Sequence, residues 1–300
     1  MYGYETIASS PRDILLGEKL PVAYWSDYRE LKRGMDHTVT GDVRILSELY
    51  SPQLHKRREI LVYLPPSYPA ANRRYPVVYM HDGQNLFDDS TSFAGEWGVD
   101  ETLDDLSREG IQAIVVGIPN LGSQRAKEYS PFVDRRHGGG LGDLYVDFIA
   151  DTLKPLIDST FRTRTARTHT AILGSSMGGL ISLYAFYKRP ETFGLVGAMS
   201  PSFWFAGGAI LPYIRNARPN SGRVYLDIGE KESPSARRWW EIPLLTSLRK
   251  GHCERVASLL ERKGRGGESL RFVVDPEGEH NETAWRRRLP DALRFLLGVG

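Results

Sequence analysis

One pentapeptide constrains this chain more than any other feature: Gly174-Ser175-Ser176-Met177-Gly178, a G-x-S-x-G pattern. An apolar run, residues 170–173, precedes it, and a helix-like run, residues 180–187, follows. A serine on a sharp turn between strand and helix has its hydroxyl pushed clear of the backbone, above the edge of a sheet. Small residues are needed two positions before and two after, because the neighbouring backbones nearly touch there. Gly174 and Gly178 meet that need. A helix opening at Met177 would also aim free N–H groups and its positive dipole end at the hydroxyl, which suits an acyl oxyanion. The same five letters fit a glycine-rich turn with a capping serine. The strand before, the helix after and two partners downstream favour the nucleophile.

The rest of the chain alternates strand and helix patterns. Alternation over residues 38–45 and an apolar stretch at 59–64 that stops at Pro65-Pro66 read as strands. Residues 75–80 and 111–118 are continuous apolar runs, as expected for strands buried on both faces. Later strands are predicted at 195–198, 223–228 and 270–274, and helices at 100–109, 144–157, 254–263 and 282–297. Such alternation predicts an α/β fold with a mostly parallel central sheet and helices on both faces. Ligands then bind beyond the carboxyl ends of the strands, where Ser176 is expected. There is no internal repeat. Residues 1–36 read as an N-terminal extension, partly helical near 27–32, packed on a single catalytic domain of residues 37–300.

A serine needs a base to take its proton, and histidine is the usual one. Of seven histidines, His280 fits best: it follows the last predicted strand in the loop Pro276-Glu277-Gly278-Glu279-His280 and precedes a helix. The α/β-hydrolase arrangement has the chain order serine, acid, histidine. His81 also ends a strand but precedes the serine. The acid is expected after the strand at 223–228, where Glu230 and Glu232 both stand; Glu232 is favoured and Glu230 is the alternative, with Asp227 inside the strand. An oxyanion hole requires two backbone donors. Met177 is expected to supply one N–H, and Gln84, in the loop His81-Asp82-Gly83-Gln84-Asn85, the other, with Gly83 allowing the turn.

Composition excludes several other classes. The 300 residues carry 39 basic and 37 acidic side chains, a net charge of +2, and the basic clusters are short and scattered, so nucleic acid is not an expected partner. A lone cysteine, Cys253, rules out an internal disulfide and a cysteine-rich zinc site. No second histidine stands at ligand spacing from His81-Asp82, so no metal site is expected there, and a serine nucleophile with a histidine base implies no metal or organic cofactor. The N-terminus lacks a basic start and an apolar core, and no apolar run reaches bilayer length; a cytoplasmic protein with no membrane contact is expected. Asn281-Glu282-Thr283 matches a glycosylation sequon but adjoins His280, where a glycan would block the site.

Four segments together resemble a known family: Val62-Tyr63-Leu64-Pro65-Pro66-Ser67-Tyr68, the stretch from Tyr75 to Gln84, Gly174-Ser175-Ser176-Met177-Gly178-Gly179, and Ser200-Pro201-Ser202-Phe203-Trp204. The chain resembles the esterase family of α/β hydrolases that includes enterochelin esterases, esterase D-type enzymes, feruloyl esterases and mycolyltransferases. Asp82-Gly83-Gln84-Asn85 is most similar to the enterochelin-esterase-like branch, and too few residues precede Val43 for that branch's extra N-terminal domain. In feruloyl-esterase relatives the acid stands three residues after the glycine that ends its strand; from Gly229 this implies Glu232. The resemblance implies a serine carboxylesterase acting on a small-molecule ester, such as a siderophore or an acylated sugar.

Asp82, Asn85, Trp97, Arg125, Trp204 and Trp285 are the expected substrate contacts, the aromatic rings for stacking and Arg125 for an anionic group. Residues 230–246, with Trp239-Trp240, are a candidate partial lid, and residues 1–36 a candidate dimer contact. Acyl transfer through the same acyl-enzyme, peptidase activity, and a non-catalytic sugar or siderophore binder on a hydrolase fold are the alternatives.

Overall fold

The computed structural model describes residues 24–34, 36–232 and 242–298. Eleven strands form in chain order: β1 (Ser26–Asp27), β2 (Asp42–Ser51), β3 (Lys56–Leu64), β4 (Val77–His81), β5 (Ile114–Ile118), β6 (Val133–Asp134), β7 (Gly138–Gly139), β8 (Thr170–Ser175), β9 (Leu195–Met199), β10 (Arg223–Lys231) and β11 (Leu270–Glu279). Nine of them make one sheet in the order β1-β2-β3-β5-β4-β8-β9-β10-β11, while β6 and β7 form a separate hairpin. The first three pairings are antiparallel, and every pairing from β5 to β11 is parallel. This is the α/β-hydrolase fold.

The helices are α1 (Tyr28–Leu31), α2 (Val99–Arg108), α3 (Arg125–Glu128), α4 (Gly142–Phe148), α5 (Lys154–Thr160), α6 (Met177–Lys188), α7 (Phe205–Gly208), α8 (Ile210–Asn216), α9 (Ile242–Arg262) and α10 (Glu282–Leu297). Because successive side chains on a strand point to opposite faces, the buried strands feed two cores. Tyr79, Ile172, Val196 and Leu226 pack against α4, α5, α6, α8 and α9. Val78, Met80, Leu173 and Tyr225 pack against α1, α2 and α10. β4, β5, β8 and β9 are buried along their whole length, which is why they read as unbroken apolar runs.

Several boundaries differ from the sequence expectation, and two of them have identifiable reasons. The strand expected at 38–45 begins at Asp42 and runs on to Ser51, with a register shift between Leu46 and Leu49 that interrupts its alternation. Residues 38–40 instead hold acidic side chains: the Thr38 N–H reaches Asp88, and both the N–H and the hydroxyl of Thr40 donate to Asp100. The helix expected at 254–263 starts at Ile242 and runs through Gly251, a weak helix former that hides its first half from the sequence pattern. Ser26–Asp27, within the expected N-terminal extension, adds an edge strand; most of that extension, and Trp239-Trp240 of the expected lid, lie outside the described residues. Among the described residues no helix is long and apolar enough to cross a membrane.

At the carboxyl end of the sheet β10 and β11 approach unusually closely. A Cβ on Gly229 would lie 2.0 Å from the Gly278 carbonyl oxygen, and one on Gly278 would lie 2.7 Å from Gly229 Cα. Gly229→Ala is therefore expected to prise the two strand ends apart at a cost of about 1–3 kcal/mol, read as a lower urea midpoint with an unchanged slope.

Candidate active site

Ser176 sits between β8 and α6 with φ 54° and ψ −119°, a backbone conformation that a non-glycine residue adopts only under constraint. The constraint is visible in its neighbours. A Cβ on Gly174 would lie 2.8 Å from His81 Cδ2 and 2.9 Å from the Gly178 carbonyl carbon. The Ser176 N–H donates to the Met199 carbonyl, and its own carbonyl accepts from Ser202 and Leu180. The turn is thus pinned to β9 and to the loop that follows it.

The Ser176 hydroxyl lies 3.0 Å from His280 Nε2, and His280 Nδ1 lies 2.5 Å from Glu232 Oε2. The sequence order serine, acid, histidine is therefore also a spatial chain. Glu232 has no exposed surface. Its other oxygen, Oε1, accepts from the Ser200 hydroxyl at 2.5 Å and from the Gly229 N–H at 2.9 Å. Burial pushes this carboxylate up, but the hydrogen bonds and the adjacent imidazole bring it below the usual glutamate range. Burial holds His280 below 6.5 in spite of Glu232 beside it, with Arg249 and Arg288 reinforcing the shift. The imidazole is thus a free base at neutral pH. Glu230, the alternative acid, is half exposed and accepts from Lys250 at 2.8 Å.

Several members of the site went unread in the sequence. Ser200 has φ 42°, and its hydroxyl, besides donating to Glu232, accepts from Trp285 Nε1 at 3.1 Å and Arg288 Nη2 at 3.0 Å. Ser202 Oγ lies 3.2 Å from Ser176 Oγ. Arg249, on α9, lies 3.1 Å from His280 Nδ1 and 3.9 Å from Glu232 Oε2. With Nδ1–H committed to Glu232, that contact is electrostatic. Arg288 Nη1 is 3.2 Å from Asp227 Oδ1, and Asp227 also accepts from the Ser200 N–H. The only sequence signal for this set was Ser200-Pro201-Ser202, directly after β9, the strand beside β8 in the sheet.

The loop after β4 needs one correction. Its left-handed residue is Asp82 (φ 56°, ψ 46°), not Gly83. Gly83 is required for a different reason: a Cβ there would lie 2.6 Å from the Ile118 nitrogen and 2.7 Å from the Gly117 carbonyl carbon. Among the described residues no acceptor takes the N–H of Gln84 or of Met177. Gln84 is held by its side chain, which accepts from the Asn120 N–H, and by its carbonyl, which accepts from Thr91. His81 lies beneath the serine turn, hydrogen-bonded to Tyr145 at 2.9 Å, and burial depresses it to about 3.

The expected substrate contacts divide. Trp97 and Trp285 are 3% and 5% exposed, so they offer no surface to a ligand. Their rings pack at 5.6 Å with a tilt of 36°, and Trp285 meets the His280 ring edge-on at 5.1 Å. Both were legible as aromatics near the site, but helix packing on the second core buries them. Asp82 and Arg125 form a two-point ion pair at 2.8 Å, so the Arg125 charge is already countered. Asn85 is buried between the Phe93 N–H and Glu282. Trp204 is only partly buried, with His137 edge-on at 5.6 Å and the Arg249 guanidinium 5.9 Å above its ring.

A serine on a strained strand-to-helix turn, joined to a histidine and a buried carboxylate from later strands of a mostly parallel sheet, defines an α/β hydrolase. The model of the family described as "Putative esterase" matches residues 51–296, and the chain belongs to that family. It is a carboxylic ester hydrolase. The chain is 27% identical over 247 residues to an uncharacterised protein, YbbA, of Bacillus subtilis, covering 80% of this chain and 93% of that protein. It is 29% identical over 142 residues to a siderophore triacetylfusarinine C esterase of Aspergillus fumigatus, covering 45% of this chain and 47% of that one. It thus spans about half the length of that siderophore esterase. Among solved structures, an IroE-like serine hydrolase from Shewanella oneidensis has a TM-score of 0.68 at 24% identity, covering 85% of this chain and 80% of that one.

Arg288→Met is expected to leave Asp227 buried without its cation, at a cost of about 3–5 kcal/mol near pH 8. Asp227 is already raised to about 6 by burial. Without Arg288 it rises further, so the folded variant holds a proton that the unfolded chain releases. Stability of the variant should therefore fall as pH rises, and its deficit against wild type should shrink between pH 8 and pH 5 in urea unfolding curves.

Proposed function

We propose that the protein hydrolyses small-molecule carboxylic esters through an acyl-enzyme on Ser176, with His280 as base and Glu232 as the acid that orients it. The observation that carries this reading is the unbroken run of contacts, Ser176 Oγ to His280 Nε2 at 3.0 Å and His280 Nδ1 to Glu232 Oε2 at 2.5 Å. In the first step Nε2 takes the hydroxyl proton as Oγ attacks the ester carbonyl. Glu232 accepts the Nδ1–H bond throughout and stabilises the imidazolium. The N–H groups of Met177 and Gln84 hold the oxyanion. The imidazolium then protonates the departing alcohol. Water, deprotonated by the same nitrogen, releases the acid and restores the serine.

The proposed substrate class is a siderophore ester. Relatives named as siderophore esterases support it, as does Trp204, two residues beyond Ser202 and edge-on to His137, a partly exposed ring suited to an aromatic acyl group.

Turnover of p-nitrophenyl acetate, butyrate and octanoate is expected for the wild type. Ser176→Ala and His280→Ala should each lower kcat by on the order of 10⁴-fold or more, and Glu232→Gln should cost about 10³–10⁴. Activity of Ser176→Ala equal to wild type would sink the mechanism. Chromatography of a tris-catecholate trilactone and of a feruloyl sugar ester, each incubated with enzyme, decides the substrate class: faster cleavage of the feruloyl ester refutes the siderophore assignment.

A pH profile follows from the imidazole. His280 must be neutral to accept the proton, and it lies below 6.5. kcat/KM should be level near pH 7–8 and decline with acid through an apparent pKa below 6.5.

A further inference from the structure

Three carboxylates converge 

at the start of α2, away from Ser176. Glu96 precedes the helix, Asp100 and Glu101 lie in its first turn, and Gly98 between them adopts φ 56° and ψ 50°, folding the chain so that Glu96 faces that turn. One oxygen of each carboxylate lies within 4.8 Å of the other two. Acidic residues in a first helical turn are ordinary, because the positive end of the helix dipole favours them. That accounts for Asp100 and Glu101 individually. It does not account for the burial of the cluster or for the state of its oxygens.

Each carboxylate has one oxygen near a protein donor or cation. Asp100 Oδ2 accepts from the Thr40 N–H at 2.6 Å and its hydroxyl at 3.2 Å. Arg286 lies 3.6 Å from Glu96 Oε2 and 3.8 Å from Glu101 Oε1. The remaining oxygens, Glu96 Oε1, Asp100 Oδ1 and Glu101 Oε2, are buried and have no hydrogen-bond partner among the described residues. Asp100 has no exposed surface, and the Glu96 side chain is 7% exposed. Buried carboxylate oxygens facing one another without donors are costly unless a proton or a cation sits between them, and Arg286 reaches only the outer oxygens of Glu96 and Glu101.

We propose that Glu96, Asp100 and Glu101 form a binding site for a calcium ion. Carboxylate oxygens alone select a hard cation. Calcium accepts oxygen ligands at about 2.3–2.6 Å in flexible geometries and suits such a cluster, whereas magnesium demands near-ideal octahedral geometry at about 2.0–2.1 Å and dehydrates reluctantly. Water completes the shell. The ion ties the segment before α2 to its first turn, and that segment supports the proposed active site. The Trp97 N–H donates to the Asn85 carbonyl and the Val99 N–H to the Leu86 carbonyl, fixing the loop that carries Gln84. Trp97 in turn packs against Trp285, which packs against His280.

The competing occupant is the proton: burial and the neighbouring carboxylates raise Glu96 to about 7 and Asp100 to about 8. Metal binding by the full-length, chelator-treated protein separates the two. Terbium titration, with tryptophan excitation and Trp97 adjacent to the site, should give saturable sensitised emission at one ion per chain, displaced by calcium at far lower concentration than by magnesium. Calcium at about a hundred times its Kd should raise the thermal midpoint by roughly 5 °C. Asp100→Asn should abolish the emission and the shift; Glu96→Gln serves the same purpose if that variant does not fold. No saturable emission and no calcium-dependent shift in the wild type would overturn the proposal, as would a shift that persists in both variants. None of these readouts depends on ester hydrolysis.

Discussion

A carboxylate with no exposed surface must have every lone pair answered, and Glu232 organises the carboxyl end of the sheet around that requirement. Its donors come from three separate places: Gly229 at the end of β10, Ser200 after β9, and His280 after β11. Trp285 and Arg288 of α10 donate to the Ser200 hydroxyl oxygen, which leaves its proton for Glu232. Removing any one of these leaves a buried charge short of a partner, which costs more than the lost hydrogen bond itself. The reactive geometry is thus a by-product of satisfying one buried ion, and the strands on either side of the nucleophile share the work.

The close approach of Gly229 and Gly278 adds a second constraint. One glycine begins the loop that carries the acid, and the other stands two residues before the histidine. With their backbones in contact, the two loops cannot move independently, and Glu232 and His280 are registered to one another before any side chain is considered. Gly174 and Gly178 do the same for the serine, through their contact with each other and with His81. In both places glycine serves close approach rather than an unusual φ. Asp82 supplies the reverse case, a left-handed residue with a side chain, held by Arg125 and Asn120.

These contrasts explain what the sequence made legible. The alternation of apolar runs and helical patterns marked the central strands, because a strand buried on both faces has no polar position to disguise it. Ser176, Glu232 and His280 could be singled out because each follows a strand in a fixed order, and the structure brings the three side chains into contact. The edge was harder: β2 loses its alternation at a bulge, and β1 is two residues long. Ser200, Arg249 and Arg288 were missed because their roles depend on which strands are neighbours and on which helix faces meet, and neither is written in local spacing. Trp97 and Trp285 looked like ligand contacts for the same reason: a tryptophan near a site and a tryptophan under it are indistinguishable until the helix is packed.

The charge balance of the buried site has a chemical consequence. Glu232 and Asp227 are matched by Arg249 and Arg288, so the surroundings of His280 are close to neutral before the reaction begins. A neutral imidazole therefore fits this environment, and burial favours it over the charged form. In the proposed reaction the imidazolium appears only while negative charge develops on the oxyanion. The cost of that transient charge falls on the 2.5 Å contact with Glu232, whose geometry is fixed in advance by Ser200 and Gly229. Stabilisation that is pre-organised and required only at that moment lowers the barrier without trapping the resting state. Both arginines oppose proton uptake by His280. Arg249 does so from within 4 Å of His280 and Glu232, while Arg288 also holds the Ser200 hydroxyl that donates to Glu232.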